Sequence, residues 1–158
     1  MADENLNITV TVNGEQVSAN VPARMHLVDF LRTELELTGS HLGCEHGICG
    51  ACSVRVDGSV VRGCLVLAAQ CDGLEVVTIE GLSESKEVAD LQDKFVERNA
   101  MQCGFCTPGM LMTAAELLAK NQILPRNEIR EFMSGNFCRC TGYHAIIDAI
   151  EMTMDARR

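Results

Sequence analysis

The chain has 158 residues, 47% hydrophobic and only 4% aromatic, with no Trp and a formal net charge of −9. That length fits one ordinary domain or two small ones with a packed core, and excludes wholesale disorder. The acidic balance excludes a basic nucleic-acid footprint and attraction to an anionic membrane surface.

The predicted elements begin with a hairpin. Leu6 to Val12 alternates like a strand, Asn13-Gly14 is a two-residue turn signal, and Glu15 to Val21 returns. Leu27, Phe30, Leu31 and Leu35 then fall on one face of a helix. Residues 39 to 52 form a Gly-rich loop. Ser53 to Val56, Asp57-Gly58 and Ser59 to Arg62 predict a second hairpin, and Leu74 to Ile79 a last strand. The polar run at 83–87 reads as a linker. It divides a first unit at 1–82 from a second at 88–158.

The second unit reads as helical. Val88, Leu91, Phe95 and Val96 make one stripe. Thr107 is placed as an N-cap with Pro108 at N1, opening a nearly all-apolar helix to about Ala119 that should be buried. Pro125 starts a short helix carrying Ile129, Phe132 and Met133, and Tyr143, Ile146, Ile147, Ile150 and Met154 stripe a final one. Four helices with short links predict an antiparallel bundle. The expected fold class is α+β, a β-rich unit followed by an all-α one.

Eight of the nine cysteines fall into two sets. Cys44, Cys49, Cys52 and Cys64 read C-x4-C-x2-C-x11-C, the plant-type [2Fe–2S] spacing and an awkward one for zinc. Cys103, Cys106, Cys138 and Cys140 read C-x2-C-x31-C-x-C, which by spacing alone suits zinc or iron–sulfur equally. The first set tips the second towards iron and sulfide, and a disulfide is disfavoured in a reducing compartment. Each pair in the second set is followed at once by Thr and then a helix, which predicts two helix N-termini facing one site. Cys71 reads as a small buried hydrophobe. His41 and His46 border the first loop, and four cysteines already fill that site. Arg139 lies between two ligands, as a counter-charge or an ordinary surface ion pair. The Met residues of the second unit read as core.

No apolar run reaches transmembrane length, and the start Met-Ala-Asp-Glu-Asn lacks an export signal, so the chain is expected in the cytoplasm. Nucleophile triads, a P-loop and a strand-linked G-x-G-x-x-G are missing from the sequence.

Three motifs in order, Gly43-Cys-Glu-His-Gly-Ile-Cys-Gly-Ala-Cys52, Gln102-Cys-Gly-Phe-Cys-Thr-Pro-Gly109 and Gly135-Asn-Phe-Cys-Arg-Cys-Thr-Gly-Tyr143, make the chain resemble the small iron–sulfur subunit of the molybdenum hydroxylases. That family includes xanthine oxidase, aldehyde oxidoreductase and carbon monoxide dehydrogenase. The resemblance implies a plant-ferredoxin-like β-grasp domain and a four-helix-bundle domain, each with one [2Fe–2S] cluster. It implies that Cys44, Cys49, Cys52 and Cys64 bind the cluster nearer FAD. Cys103, Cys106, Cys138 and Cys140 would bind the one nearer molybdenum, with Gln102 and Cys140 contacting molybdopterin. The chain itself would be non-catalytic. Its implied partners are a large molybdopterin-binding subunit and a medium FAD subunit, in a dimer of heterotrimers. Ser53 stands where many relatives carry Thr, and Glu45-His46 resembles the N-heteroaromatic branch. The alternative is a free-standing two-cluster ferredoxin, and a zinc-stabilised interaction module is a third class.

Overall fold

The computed structural model describes residues 4–158; the Met-Ala-Asp start of the N-terminal reading lies outside them. β1 (Asn5–Val12) and β2 (Glu15–Pro22) form the first hairpin, and β3 (Ser53–Val56) and β4 (Ser59–Arg62) the second. At both turns the two central residues have positive φ, Asn13 at 51° with Gly14 at 86°, and Asp57 at 45° with Gly58 at 80°. Asn-Gly and Asp-Gly adopt that backbone at little cost, and its twist matches the flanking strands. β5 (Glu75–Val77) completes a five-stranded sheet of order β2-β1-β5-β3-β4. It runs parallel to β1, with Thr11 opposite Glu75, and antiparallel to β3, with Arg55 opposite Val77.

One face of the sheet closes on a helical segment. Ile8, Val10, Val12, Val54 and Val76 alternate inward and pack against Leu27, Phe30 and Leu31, all three fully buried. Each such side chain stabilises the fold by about 1.5–3 kcal/mol. The predicted single helix here divides into α1 (Leu27–Asp29) and a wider π-turn over Phe30–Glu34. The Leu35 N–H reaches back to the Phe30 carbonyl, while the Thr33 hydroxyl takes the Asp29 carbonyl at 2.9 Å. That local side-chain bond competes with a regular helix.

The helical unit contains α3 (Ala89–Glu97), α4 (Thr107–Leu118), α5 (Arg126–Met133) and α6 (His144–Ala156). They are preceded by α2 (Ile79–Glu84), whose Ile79 and Leu82 join the same core. Ile79 therefore starts a helix rather than ending a strand. The 83–87 stretch is the end of α2 and the turn after it. Gln92 donates to the Ser83 hydroxyl at 2.9 Å, and Arg55 of β3 clamps Glu87 at 2.5 Å. These two bonds pin the corner between the sheet and the helices. α4 is buried on nearly every side, from Gly109 to Leu118. Val88, Leu91 and Phe95 are core, but Val96 of the same predicted stripe is 65% exposed. The α6 stripe of Ile146, Ile147, Ile150 and Met154 faces inward. Among the described residues, no helix is long and apolar enough to cross a membrane.

Candidate metal centres

Three cysteines of the first set, Cys44, Cys49 and Cys52, sit on the loop between the π-turn and β3. Arg32 fastens its start by donating to the carbonyls of Thr38 at 2.6 Å and Ser40 at 2.8 Å. Cys44 and Cys49 are half-buried, whereas Cys52 and Cys64 are each only 2% exposed. Cys64 follows β4, and the Gly63 N–H donates to the Cys52 carbonyl at 3.0 Å, tying the ends of the site together. The Cys44 sulfur accepts the Cys49 N–H at 3.4 Å. That bond, helped by the His46 N–H, holds the Cys44 thiol down to about 6. Burial pushes the Cys52 thiol up to about 11 against the Cys64 N–H. The thiols group as two pairs, Cys44 beside Cys49 and Cys52 beside Cys64.

The second set lies at the end of the bundle. Cys103 and Cys140 are exposed and their sulfurs are 3.6 Å apart. Cys106 and Cys138 lie beneath them against the helical core, again as a pair. Burial pushes the Cys106 thiol up to about 12. Burial also opposes the Cys138 thiolate. There the Thr141 hydroxyl and the N–H groups of Thr141 and Cys140 outweigh it, and the thiol is lowered. Thr107 does not cap as predicted, and Thr141 is not an N-cap either. Thr107 is the first residue of α4, with Cys106 at the N-cap position and no side-chain cap bond. Thr141 precedes the α6 N-cap, Tyr143, and donates its hydroxyl to the Cys138 sulfur at 3.1 Å.

Gln102 is exposed beside Cys103, and Arg139 is exposed between Cys138 and Cys140. Cys71 is fully buried in the sheet core, away from both sets. His46 is exposed. His41 joins the units: its Nδ1 donates to the Phe105 carbonyl at 2.8 Å, and the two rings stack at 4.6 Å. A second bond joins the sites directly, from the Phe137 N–H to the Cys49 carbonyl at 2.8 Å. Tyr143 holds a left-handed backbone at φ 68°, strained for a bulky residue. Its hydroxyl accepts the Cys138 N–H at 2.9 Å and donates to the Asn136 carbonyl at 3.2 Å. Phe105, Phe137 and Asn136 carry no periodic signal, so only tertiary structure reveals their part.

The pairing decides what these donors suit. A zinc site gathers its ligands about 2.3 Å from one ion. Four thiols grouped two and two, in each of two places, suit a cluster with two irons. A β-grasp sheet carrying one thiol loop, joined to a helical bundle carrying another set, defines a two-site iron–sulfur protein.

Known proteins agree. Residues 10–76 match the family described as the 2Fe-2S iron-sulfur cluster binding domain, and residues 78–151 the [2Fe-2S] binding domain. The caffeine dehydrogenase subunit gamma of Pseudomonas sp. (strain CBB1) is 49% identical over 147 residues, 91% of this chain and 88% of that protein. The nicotine 6-hydroxylase small subunit of Paenarthrobacter nicotinovorans is also 49% identical, over 93% of this chain and 88% of that protein. The crystal structure of quinoline 2-oxidoreductase from Pseudomonas putida 86 superposes with a TM-score of 0.90 at 49% identity, over 96% of this chain and 95% of that one. The chain belongs to the small iron–sulfur subunits of the molybdenum hydroxylases.

Proposed function

We propose that this chain is the electron-transfer subunit of a multi-subunit molybdenum hydroxylase that oxidises an N-heteroaromatic substrate. In this reading Cys44, Cys49, Cys52 and Cys64 hold one [2Fe–2S] cluster, and Cys103, Cys106, Cys138 and Cys140 hold the other. Bound clusters supply one-electron carriers between molybdopterin on a large partner subunit and FAD on a medium one. Two such trimers pair, in the cytoplasm. Caffeine, nicotine and quinoline, named for the relatives, are all nitrogen heteroaromatics, which supports that substrate class.

The observation that carries the reading is the Phe137–Cys49 hydrogen bond. Phe137 is bonded to Cys138 of one thiol set, and the accepting carbonyl belongs to Cys49 of the other. The two sites are thereby connected through covalent bonds and a single 2.8 Å hydrogen bond. The exposed Cys103–Cys140 edge, with Gln102 beside it, supports a face turned towards the pterin. Cys106 and Cys138 sit on the core side and fix that edge to the bundle.

The test is Cys140→Ser in the natively purified protein. Wild type should contain about four irons per chain and two distinguishable EPR signals. The variant should damage one signal and spare the other; loss of both, or of neither, would contradict the two-site assignment. Gel filtration separates the subunit from a free ferredoxin. A native species running at the size of this chain alone would sink the subunit reading.

A further inference from the structure

Asn136 takes no part in the function assigned so far, yet it is a polar side chain only 1% exposed, and it meets three elements. Its Nδ2 donates to the Gly50 carbonyl at 3.2 Å. Its Oδ1 accepts from the Thr113 hydroxyl of α4 at 3.0 Å and from Arg62, at the end of β4, at 3.4 Å. The Gly50 carbonyl is already well supplied. It also accepts from the Ser53 hydroxyl at 2.7 Å and the Ser53 N–H at 3.3 Å. Arg62 stands behind this cluster, donating to the Ser53 hydroxyl and to the Gly135 carbonyl.

Three donors on one carbonyl fix the orientation of its peptide. A trans peptide points C=O and N–H in opposite directions, and the partner N–H here belongs to Ala51. With the carbonyl held towards residues 135–136, the Ala51 N–H turns back towards the thiol loop, where it favours the Cys49 thiolate. Position 50 must be glycine for this. Its φ is +74°, and a side chain would run into the Asn136 amide and the Gly135 carbonyl. An N–H aimed at a cluster sulfur favours the more negative, reduced state, and so raises the potential.

We infer that Asn136, from the helical unit, is a positioning residue that orients the Gly50–Ala51 peptide and so raises the reduction potential of the cluster in the other unit. This rests on the reading that Cys44, Cys49, Cys52 and Cys64 hold a cluster. The helical unit then tunes as well as touches its neighbour.

Potentiometric EPR on the full chain, purified with its accompanying subunits, tests this with Asn136→Leu, which keeps the bulk and removes the donor. The signal damaged by Cys140→Ser identifies the second site, and the remaining one is the first. At fixed potential the reduced-to-oxidised ratio at the first site should fall about tenfold, or ~59 mV for a one-electron couple, with the second site unmoved. An unmoved first-site potential, or an equal shift at both sites, overturns the inference. Should that variant fail to fold, Ser53→Ala removes another donor from the same carbonyl and should lower the same potential. Ser53→Thr, which keeps the hydroxyl, should restore it. Ser53→Ala at the wild-type potential overturns the inference as well. A wild-type protein without two EPR signals defeats the cluster assignment itself, which is a separate and recognisable failure.

Discussion

The two thiol sets solve one problem with different materials. The first is held mostly by backbone. Three of its four cysteines lie within nine residues on one loop, and the fourth follows β4, with Cys52 and Cys64 sealed from solvent. The second is held by packing. Its halves are separated by 31 intervening residues, meet only because α4, α5 and α6 pack together, and leave Cys103 and Cys140 exposed. The contrast teaches that one site depends on local turn geometry and the other on the integrity of a hydrophobic core. It also separates a sheltered end from a solvent-exposed one.

The largest effect that would sharpen this contrast is Ile146→Ala. Ile146 is fully buried in α6. Truncation there should cost about 2–5 kcal/mol of stability. In a denaturant titration followed by EPR, the second-site signal should disappear at a denaturant concentration where the first persists. Coincident loss of the two would break the distinction.

A middle-sized effect is expected at Thr141→Val, which removes the hydroxyl bonded to the Cys138 sulfur but keeps the shape. The second-site reduced-to-oxidised ratio should fall about threefold to tenfold at fixed potential. The first site should stay put. This is the mirror of the Asn136 experiment, with the perturbation confined to one unit.

The smallest effect concerns acid. Hydrogen bonds from Arg98 and Arg126 hold the Asp148 carboxyl below the usual carboxylate range. Those pairs tie α6 to the end of α3 and to α5, at 2.9 Å and 2.5 Å. A carboxyl depressed in the folded state contributes stability that is full above the unfolded aspartate pKa of about 4 and is lost as pH falls through the folded value. Asp148→Asn should therefore cost under about 1 kcal/mol near neutrality, because the pairs are partly solvated. The difference from wild type should shrink as the pH drops below about 4. Thermal melts at stepped pH check this, and a difference that grows with acid would refute it.

Sequence exposed those features whose cause is local. Asn13-Gly14 and Asp57-Gly58 marked both hairpins because those dipeptides suit paired positive φ values. The cysteine spacings marked both thiol sets, and the near-absence of polar residues in α4 marked its burial. What stayed hidden depends on partners distant in the chain. Asn136 looks like any loop asparagine until Gly50, 86 residues earlier, is placed beside it. Ile79 continues an apolar strand pattern, yet the helical core claims it for α2. Thr141 looks like a helix cap, yet its hydroxyl faces a sulfur. Thr33 gave no sign that it would take the Asp29 carbonyl and widen the turn that follows α1.

The 135–137 strip has a consequence for how the molecule is made. The N-terminal unit leaves the ribosome first, but the notch over Gly50 is completed by Asn136, 86 residues later in the chain. Contacts across that much sequence close late and slowly. The sheet unit can fold while translation continues. Its thiol loop lacks the contacts from Asn136 and Phe137 until α5 has emerged.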